Sequence, residues 1–327
     1  MPHTPLANFG KRETIATSLR WVSLAAVLFA GLVFVAGQVV GLKGLDAALG
    51  KLSAATVVLL VLAAVASTLI RFLNWPYFCK VQGIAIPLNK LLLYHVAGMA
   101  LLPTPGKLGT ALRLWLMHKH HKVPYRRSAP ILLFDLLTDF LALIILVGVA
   151  LPFLGHVAGL KLAVMLLAGT LGGIIAVLYY PPLPRAVIKL AYRAAGNVKP
   201  RFFAGLLRLT VSLRVLVGPQ NLLRTLGNAI VGWGIVTLAF ALLLNDLGYA
   251  HTWPLSIFAI GCGIILGAVS MLPGGLGGTE AIVFSVLLAN NVSLADATIF
   301  TALMRLCTLW LPVAAGVIVL PFALRKR

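Results

Sequence analysis

The sequence predicts an all-α integral membrane protein with six full transmembrane helices and two re-entrant helical hairpins, the hairpins forming an inverted repeat. Three observations lead there. The chain is 61% hydrophobic and only 10% charged, with a mean hydropathy of +1.02, whereas a soluble domain carries roughly 25% charged residues. Its apolar runs are about 20 residues long and do not alternate, which favours spanning helices over barrel strands. Its Lys and Arg residues fall between the runs, mostly on one side of the bilayer once spans are counted.

Taken in order, the runs Leu19 to Gly41, Ala54 to Trp75, Ser128 to Leu151, Lys161 to Tyr180, Leu222 to Asn245 and Leu294 to Phe322 read as full spans. The first lacks a convincing small-residue cleavage site, so it reads as a span and not a signal peptide. Two further regions are interrupted. Leu88 to Leu116 carries Pro103-Thr104-Pro105-Gly106, and Pro254 to Asn290 carries Pro273-Gly274-Gly275-Leu276-Gly277-Gly278. Proline and glycine in mid-run end a helix.

Charge gives the breaks their meaning. With Met1 cytoplasmic, the basic residues from Lys11 to Arg20, Arg71 to Lys90, Lys119 to Arg127, Arg185 to Arg224 and Arg325 to Arg327 are cytoplasmic. Lys43, Lys51 and Lys161 are outside, and Lys107, Arg113 and Arg305 lie at membrane depth. The count holds only if each broken region enters and leaves on one side. About 88–117 is then a hairpin from the cytoplasm and about 254–291 a hairpin from outside, each arm of about 15 residues being too short to span. The rest divides into a cytoplasmic segment 1–18, one transmembrane domain 19–322 and a cytoplasmic tail 323–327. Both termini are thus expected in the cytoplasm of a bacterial inner-membrane protein. Gly109-Thr110 and Gly278-Thr279, Val123 and Val292, and Pro152 and Pro321 share one offset, a sparse repeat of the kind secondary transporters show.

The net charge of +20 follows from this topology and does not indicate nucleic acid. The loop at about 181–221 is basic and amphipathic. Arg185, Lys189 and Arg193 share one helix face, as an interfacial helix on anionic headgroups requires. Cys79, Cys262 and Cys307 form no CxxC pair and read as buried small apolar residues. His118, His120 and His121 sit in a Lys/Arg-rich loop, so no metal is expected. There is no GxxxxGK[ST], HExxH or GxSxG motif, so neither an internal ATPase nor those hydrolase chemistries are expected. No cofactor is expected and the chain is not read as an enzyme.

Ionisable residues at membrane depth are costly and mark pathways or partners. Here they are Lys107, Arg113, Asp135, Asp139, Glu280 and Arg305. Asp135 and Asp139 are four apart and share a helix face. Two carboxylates in low dielectric need a nearby cation, for which Arg305 or Arg113 is the candidate. The half-helix after each break begins near the midplane, so its N–H groups and dipole suit a phosphate or carboxylate. That adds Gly274, Gly275, Gly277, Gly278 and Thr279 to the candidate site. The rival readings are an ion-pair lattice holding the bundle together and tight packing through small residues.

The strings Leu102-Pro103-Thr104-Pro105-Gly106-Lys107-Leu108-Gly109 and Pro273-Gly274-Gly275-Leu276-Gly277-Gly278-Thr279-Glu280-Ala281, with Arg305, Trp310, Pro312 and Gly316, resemble the lysylphosphatidylglycerol synthase transmembrane-region family. That family is similar to the flippase half of the multiple peptide resistance factor. The resemblance runs from about Leu19 to Phe322. It implies flippase-like translocation of an amphiphilic lipid with a charged headgroup. Two positions depart from the family pattern. Thr110 stands where a Glu is expected, and Phe134-Asp135 where a Glu-Arg pair is expected, which points to a different headgroup at the cytoplasmic side. Nothing in the chain corresponds to the soluble synthase half, so aminoacyl transfer is not implied. Some members accompany hopanoid or glycolipid pathways, so the lipid stays open. In the leading expectation Lys107, Arg113 and Arg305 hold anionic groups while Glu280, Asp135 and Asp139 balance them. The alternatives are a membrane partner that presents lipid to a biosynthetic enzyme, and a membrane enzyme acting on a headgroup.

Overall fold

The computed structural model describes residues 50–104, 110–154, 200–250 and 252–325, with Met165, Ala168, Gly169, Gly172, Gly173, Tyr180, 182–194, Gly196 and Val198. The expected spans Leu19 to Gly41 and, for the most part, Lys161 to Tyr180 lie outside these residues, as do the N-terminal segment, the last two residues of the tail and Lys107.

Helix formation follows the apolar runs. α1 (Ala54–Phe72) and α2 (Asn74–Val81) form one 28-residue apolar rod, Ala54–Val81. Ser53 starts it by accepting the Thr56 N–H at 3.0 Å, an N-cap that satisfies an otherwise orphaned donor. α3 (Leu88–Met99) ends in turns through Ala100–Thr104, before the first break. α4 (Leu112–His121) stops at Lys122, which takes a left-handed conformation with φ 57°. α5 (Tyr125–Ala150) follows, extended by a 3-10 turn at Leu151–Phe153. The basic segment forms α6 (Pro182–Ala194) and α7 (Pro200–Leu216), and α8 (Pro219–Asp246) is a long span. α9 (Thr252–Val269) and α10 (Gly278–Ala289) flank the second break. α11 (Leu294–Arg305) continues through a π-helical turn, Leu306–Trp310, into α12 (Leu311–Leu324).

Among the described residues five helices are long and apolar enough to cross a membrane: Ala54–Val81, Tyr125–Phe153, Pro219–Asp246, Thr252–Val269 and Leu294–Leu324. Thr252–Val269 differs from expectation. The first arm of the second broken region has 18 residues, about 27 Å of helix, whereas the spacing predicts about 15. Glycine explains its persistence. A Cβ at Gly263 would meet Val283 Cγ2 at 2.6 Å, and one at Gly267 would collide with the Thr279 hydroxyl. With neither Cβ present, α9 and α10 pack backbone to side chain, and this close packing offsets the low helix propensity of glycine. α10, with 12 residues, is only about 18 Å long.

Two apolar clusters make the core. One joins α1, the second half of α5, α8, α9, α10 and α11 through Leu60, Val147, Phe240, Phe258, Val283 and Phe300. The other joins α2, α3, α4, the first half of α5 and α7 through Phe78, Leu91, Leu114, Met117, Phe134 and Leu216. α5 contributes Ile131 to Phe134 to one and Ala142 to Ala150 to the other. Asp135 and Asp139 fall in the interval between them. Many large apolar side chains point outward, among them Val58, Leu62, Val231 and Ile318, as lipid-facing helices require.

Far from the breaks, Asp296 is 2% exposed. It accepts hydrogen bonds from Tyr249 (2.5 Å) and Ser293 (2.8 Å) and pairs with Lys51 at 3.4 Å. Ser293 caps α11 through the Asp296 N–H, so one carboxylate ties the α8–α9 loop to the start of α11. Asp296→Ala leaves these donors without a partner and is expected to cost about 2–3 kcal/mol, read as a lowered Tm in detergent.

Candidate functional site

The two breaks meet. A Cβ on Gly274 would lie 3.3 Å from Pro103 Cα, so the second break presses on the first. Gly274 and Gly275 have φ 63° and 66°, a left-handed turn that glycine adopts without steric cost. Leu276, Leu309 and Val313 form a small cluster with Leu102 and Trp310 that clamps both breaks onto the π-helical turn.

Beside this junction lies a cavity of about 320 Å³. It is reached by Thr104 and Thr110 from the first break and by Gly274, Gly275 and Thr279 from the second. Thr110 stands two residues before Leu112, the first residue of α4, and Thr279 is the second residue of α10. The cavity therefore borders the N-terminal ends of α4 and α10, where the helix dipole favours anions.

Three guanidiniums face the cavity, each with a carboxylate. Arg113 Nη1 is 3.7 Å from Asp135 Oδ2. Asp135 also accepts from Trp75 Nε1 at 2.9 Å. The Arg113 guanidinium lies over the Trp75 ring, 4.5 Å from its centroid, and its Nη1 is 3.3 Å from His95 Nδ1. Gly98 lies beside it: a Cβ there would stand 3.4 Å from Arg113 Nε, an ordinary van der Waals contact. Arg71 is fixed by Asp139, with Nε donating to Oδ1 at 2.9 Å and Nη2 to Oδ2. It stacks on Trp233 at 4.6 Å. Gly232 clears its path, because a Cβ there would lie 2.8 Å from Arg71 Cγ. Arg305 donates from Nε to Glu280 Oε1 at 2.6 Å and from Nη2 to the Gly275 carbonyl at 2.9 Å. It thus holds the second break open as a loop.

Several expectations are corrected. Arg71, counted among the cytoplasmic charges, lies inside the Ala54–Val81 helical rod. It sits on the cavity wall, bound to Asp139. Arg305 is not the cation that balances Asp135 and Asp139; Arg113 and Arg71 take those roles, and Arg305 pairs with Glu280. Glu280 is 2% exposed and does not line the cavity, so it acts through Arg305. Gly277 and Gly278 do not line it either. Gly277, with φ 81°, precedes α10, and Gly278 gives way to Ser270, whose Oγ would be 3.0 Å from a Cβ. Lys107 lies outside the described residues.

The spacing missed His95, Trp75 and Trp233, all buried. One signal for this wall was present in the sequence. Ser67, Thr68 and Arg71 form a polar stripe on an otherwise apolar run, and all three line the cavity. His118, His120 and His121 do not converge on a metal site; among the described residues no group of three His, Cys, Asp or Glu could hold one.

A search of the curated proteins gives no significant match. A protein-family model described as the lysylphosphatidylglycerol synthase TM region matches residues 21–316. That stretch contains both breaks and every residue of the cavity, and with it the chain belongs to the lysylphosphatidylglycerol synthase transmembrane-region family as a multi-pass helical membrane protein.

Proposed function

We propose that the protein translocates an amphiphilic lipid with a charged headgroup across the bacterial inner membrane, without chemically altering it. One observation carries the reading: a cavity at the junction of two helix breaks, walled by three guanidiniums and two carboxylates, inside a bundle of membrane-spanning helices. A headgroup there exchanges hydration for fixed charges and the ends of two half-helices, which lowers the cost of leaving water. In this reading the two broken regions are hairpins from opposite sides and the termini are cytoplasmic. The breaks are then the gates, and rocking about their contact exposes the cavity to one side at a time. The family match supports a lipid-related role, and the charge pattern supports the orientation.

Purified protein in liposomes carrying fluorescent phospholipids tests this. The expected result is faster loss of fluorescence to an external quencher than in protein-free liposomes, abolished by Asp139→Asn, which frees Arg71. No acceleration for any lipid of the native membrane overturns the reading. Asn290 labelled from the cytoplasmic side after substitution by cysteine would overturn the hairpin topology.

A further inference from the structure

The cavity has an apolar side that the ion pairs do not use. α9 and α5 touch where Gly261 faces Val147 and the Leu143 carbonyl. Further along, towards the breaks, both helices line the cavity. Ile264 and Ala268, continued by Met271 and Leu272, stand on one side, with Leu132, Leu136 and Phe140 on the other. Met271 is 64% exposed and Leu272 45%. An exposed apolar mouth on a charged cavity suits hydrocarbon chains and not a water-soluble ligand.

The charged side is not uniform. Arg71 and Arg305 each place two nitrogens on oxygen acceptors. Arg113 does not. Its Nε has no hydrogen-bond partner among the described residues, and its ion pair with Asp135 is long at 3.7 Å. It is nonetheless only 6% exposed. A buried guanidinium with unfilled donors is poorly satisfied alone and well matched to a bidentate oxyanion.

We propose that the gap between α5 and the second half of α9 is a lateral portal that holds the acyl chains of a phospholipid, while Arg113 receives its phosphate. This rests on the lipid-handling reading above but concerns binding, not movement. The chains stay in the bilayer between the two helices and only the phosphate and headgroup enter. Arg71 and Arg305 keep their carboxylates and hold the walls in place.

The test uses the protein in nanodiscs of phosphatidylethanolamine and phosphatidylglycerol, doped with phosphatidylglycerol carrying a diazirine in one acyl chain. Crosslinked positions are mapped by mass spectrometry. Labelling of Met271, Leu272, Leu136 and Phe140 is expected to exceed that of Val231 and Ile318, two exposed apolar positions on α8 and α12, by several-fold. Arg113→Gln is expected to remove the excess and Arg113→Lys to retain most of it. Met271→Trp, at an exposed position, lowers labelling of Leu136 and Phe140 with Arg113 intact, so the portal stays testable if Arg113→Gln fails to fold. Equal labelling at every lipid-facing position overturns the proposal, as does an excess that survives Arg113→Gln in folded protein. Stabilisation by inorganic phosphate through Arg113, with no excess labelling, would assign the residue to a soluble anion. Excess labelling without flipping in liposomes keeps the portal and sinks translocation, so the two readings fail separately.

Discussion

Arg305→Ala is expected to cost about 3–5 kcal/mol of stability and to reduce lipid movement more than tenfold. Glu280 is 2% exposed and its Oε2 already lacks a partner among the described residues. Without Arg305 its charge is buried and uncompensated. The Gly275 carbonyl loses its donor at the same time, so the second break loses the bond that shapes it. Energy and function separate in a second variant. Glu280→Gln with Arg305→Met replaces a buried pair by groups that need no counter-charge and is expected to recover most of the lost stability. Lipid movement stays low, because nothing then holds Gly275. Thermal unfolding in detergent and the liposome assay check both halves. Full activity in the double variant would show that the pair serves packing alone.

Gly316→Ala is the second large effect expected. A Cβ at this position would collide with the backbone nitrogen of Ala100, with Ala100 Cα and Met99 C at 2.8 Å. A side chain can rotate away from such a contact; helix backbone cannot. Overpacking costs about 1–3 kcal/mol, and the upper end is expected because α12 and α3 must move apart. That movement carries Leu102 and Thr104, both on the cavity wall, so activity falls with stability. Gly234→Ala is the control. It lies in α8 with nothing within 4 Å of its Cβ position, and it is expected to be neutral or to gain up to about 1 kcal/mol from helix propensity. A Gly316→Ala protein with the wild-type Tm would mean that α12 and α3 do not pack this closely.

Much of the fold was legible because its signals are local. Apolar run length gave the helices around Ala54, Ser128, Leu222 and Leu294, and proline and glycine gave both breaks. Helix ends were less legible. α4 was expected to finish near Met117 and runs to His121, where Lys122 turns left-handed. α9 outlasts its expected arm because Gly263 and Gly267 fit against α10, a fit that hydropathy does not register. Among the site residues, Arg113, Asp135, Asp139, Gly274, Gly275, Thr279 and Arg305 do border one cavity. Charge inside an apolar run is rare enough to identify Arg113, Asp135, Asp139 and Arg305 one residue at a time, and the glycine-rich break points to Gly274, Gly275 and Thr279. Glu280, by contrast, is a buried acid that sits behind Arg305 and off the cavity wall.

What the sequence by itself determined is the membrane character, the two breaks and a short roster of buried charges. Each follows from the composition of a single segment. What only the tertiary structure decided is who pairs with whom. Arg71 reaches Asp139 across 68 positions and Arg305 reaches Glu280 across 25. Each pair depends on a glycine, an aromatic ring or a carbonyl from another segment of the chain. Arg71 at the end of an apolar run looks like a loop charge until Gly232 and Trp233 are packed against it. The physical reason is that burial cost is a property of one residue's position along the chain. Its relief by a partner is a property of three-dimensional proximity, which no single segment contains.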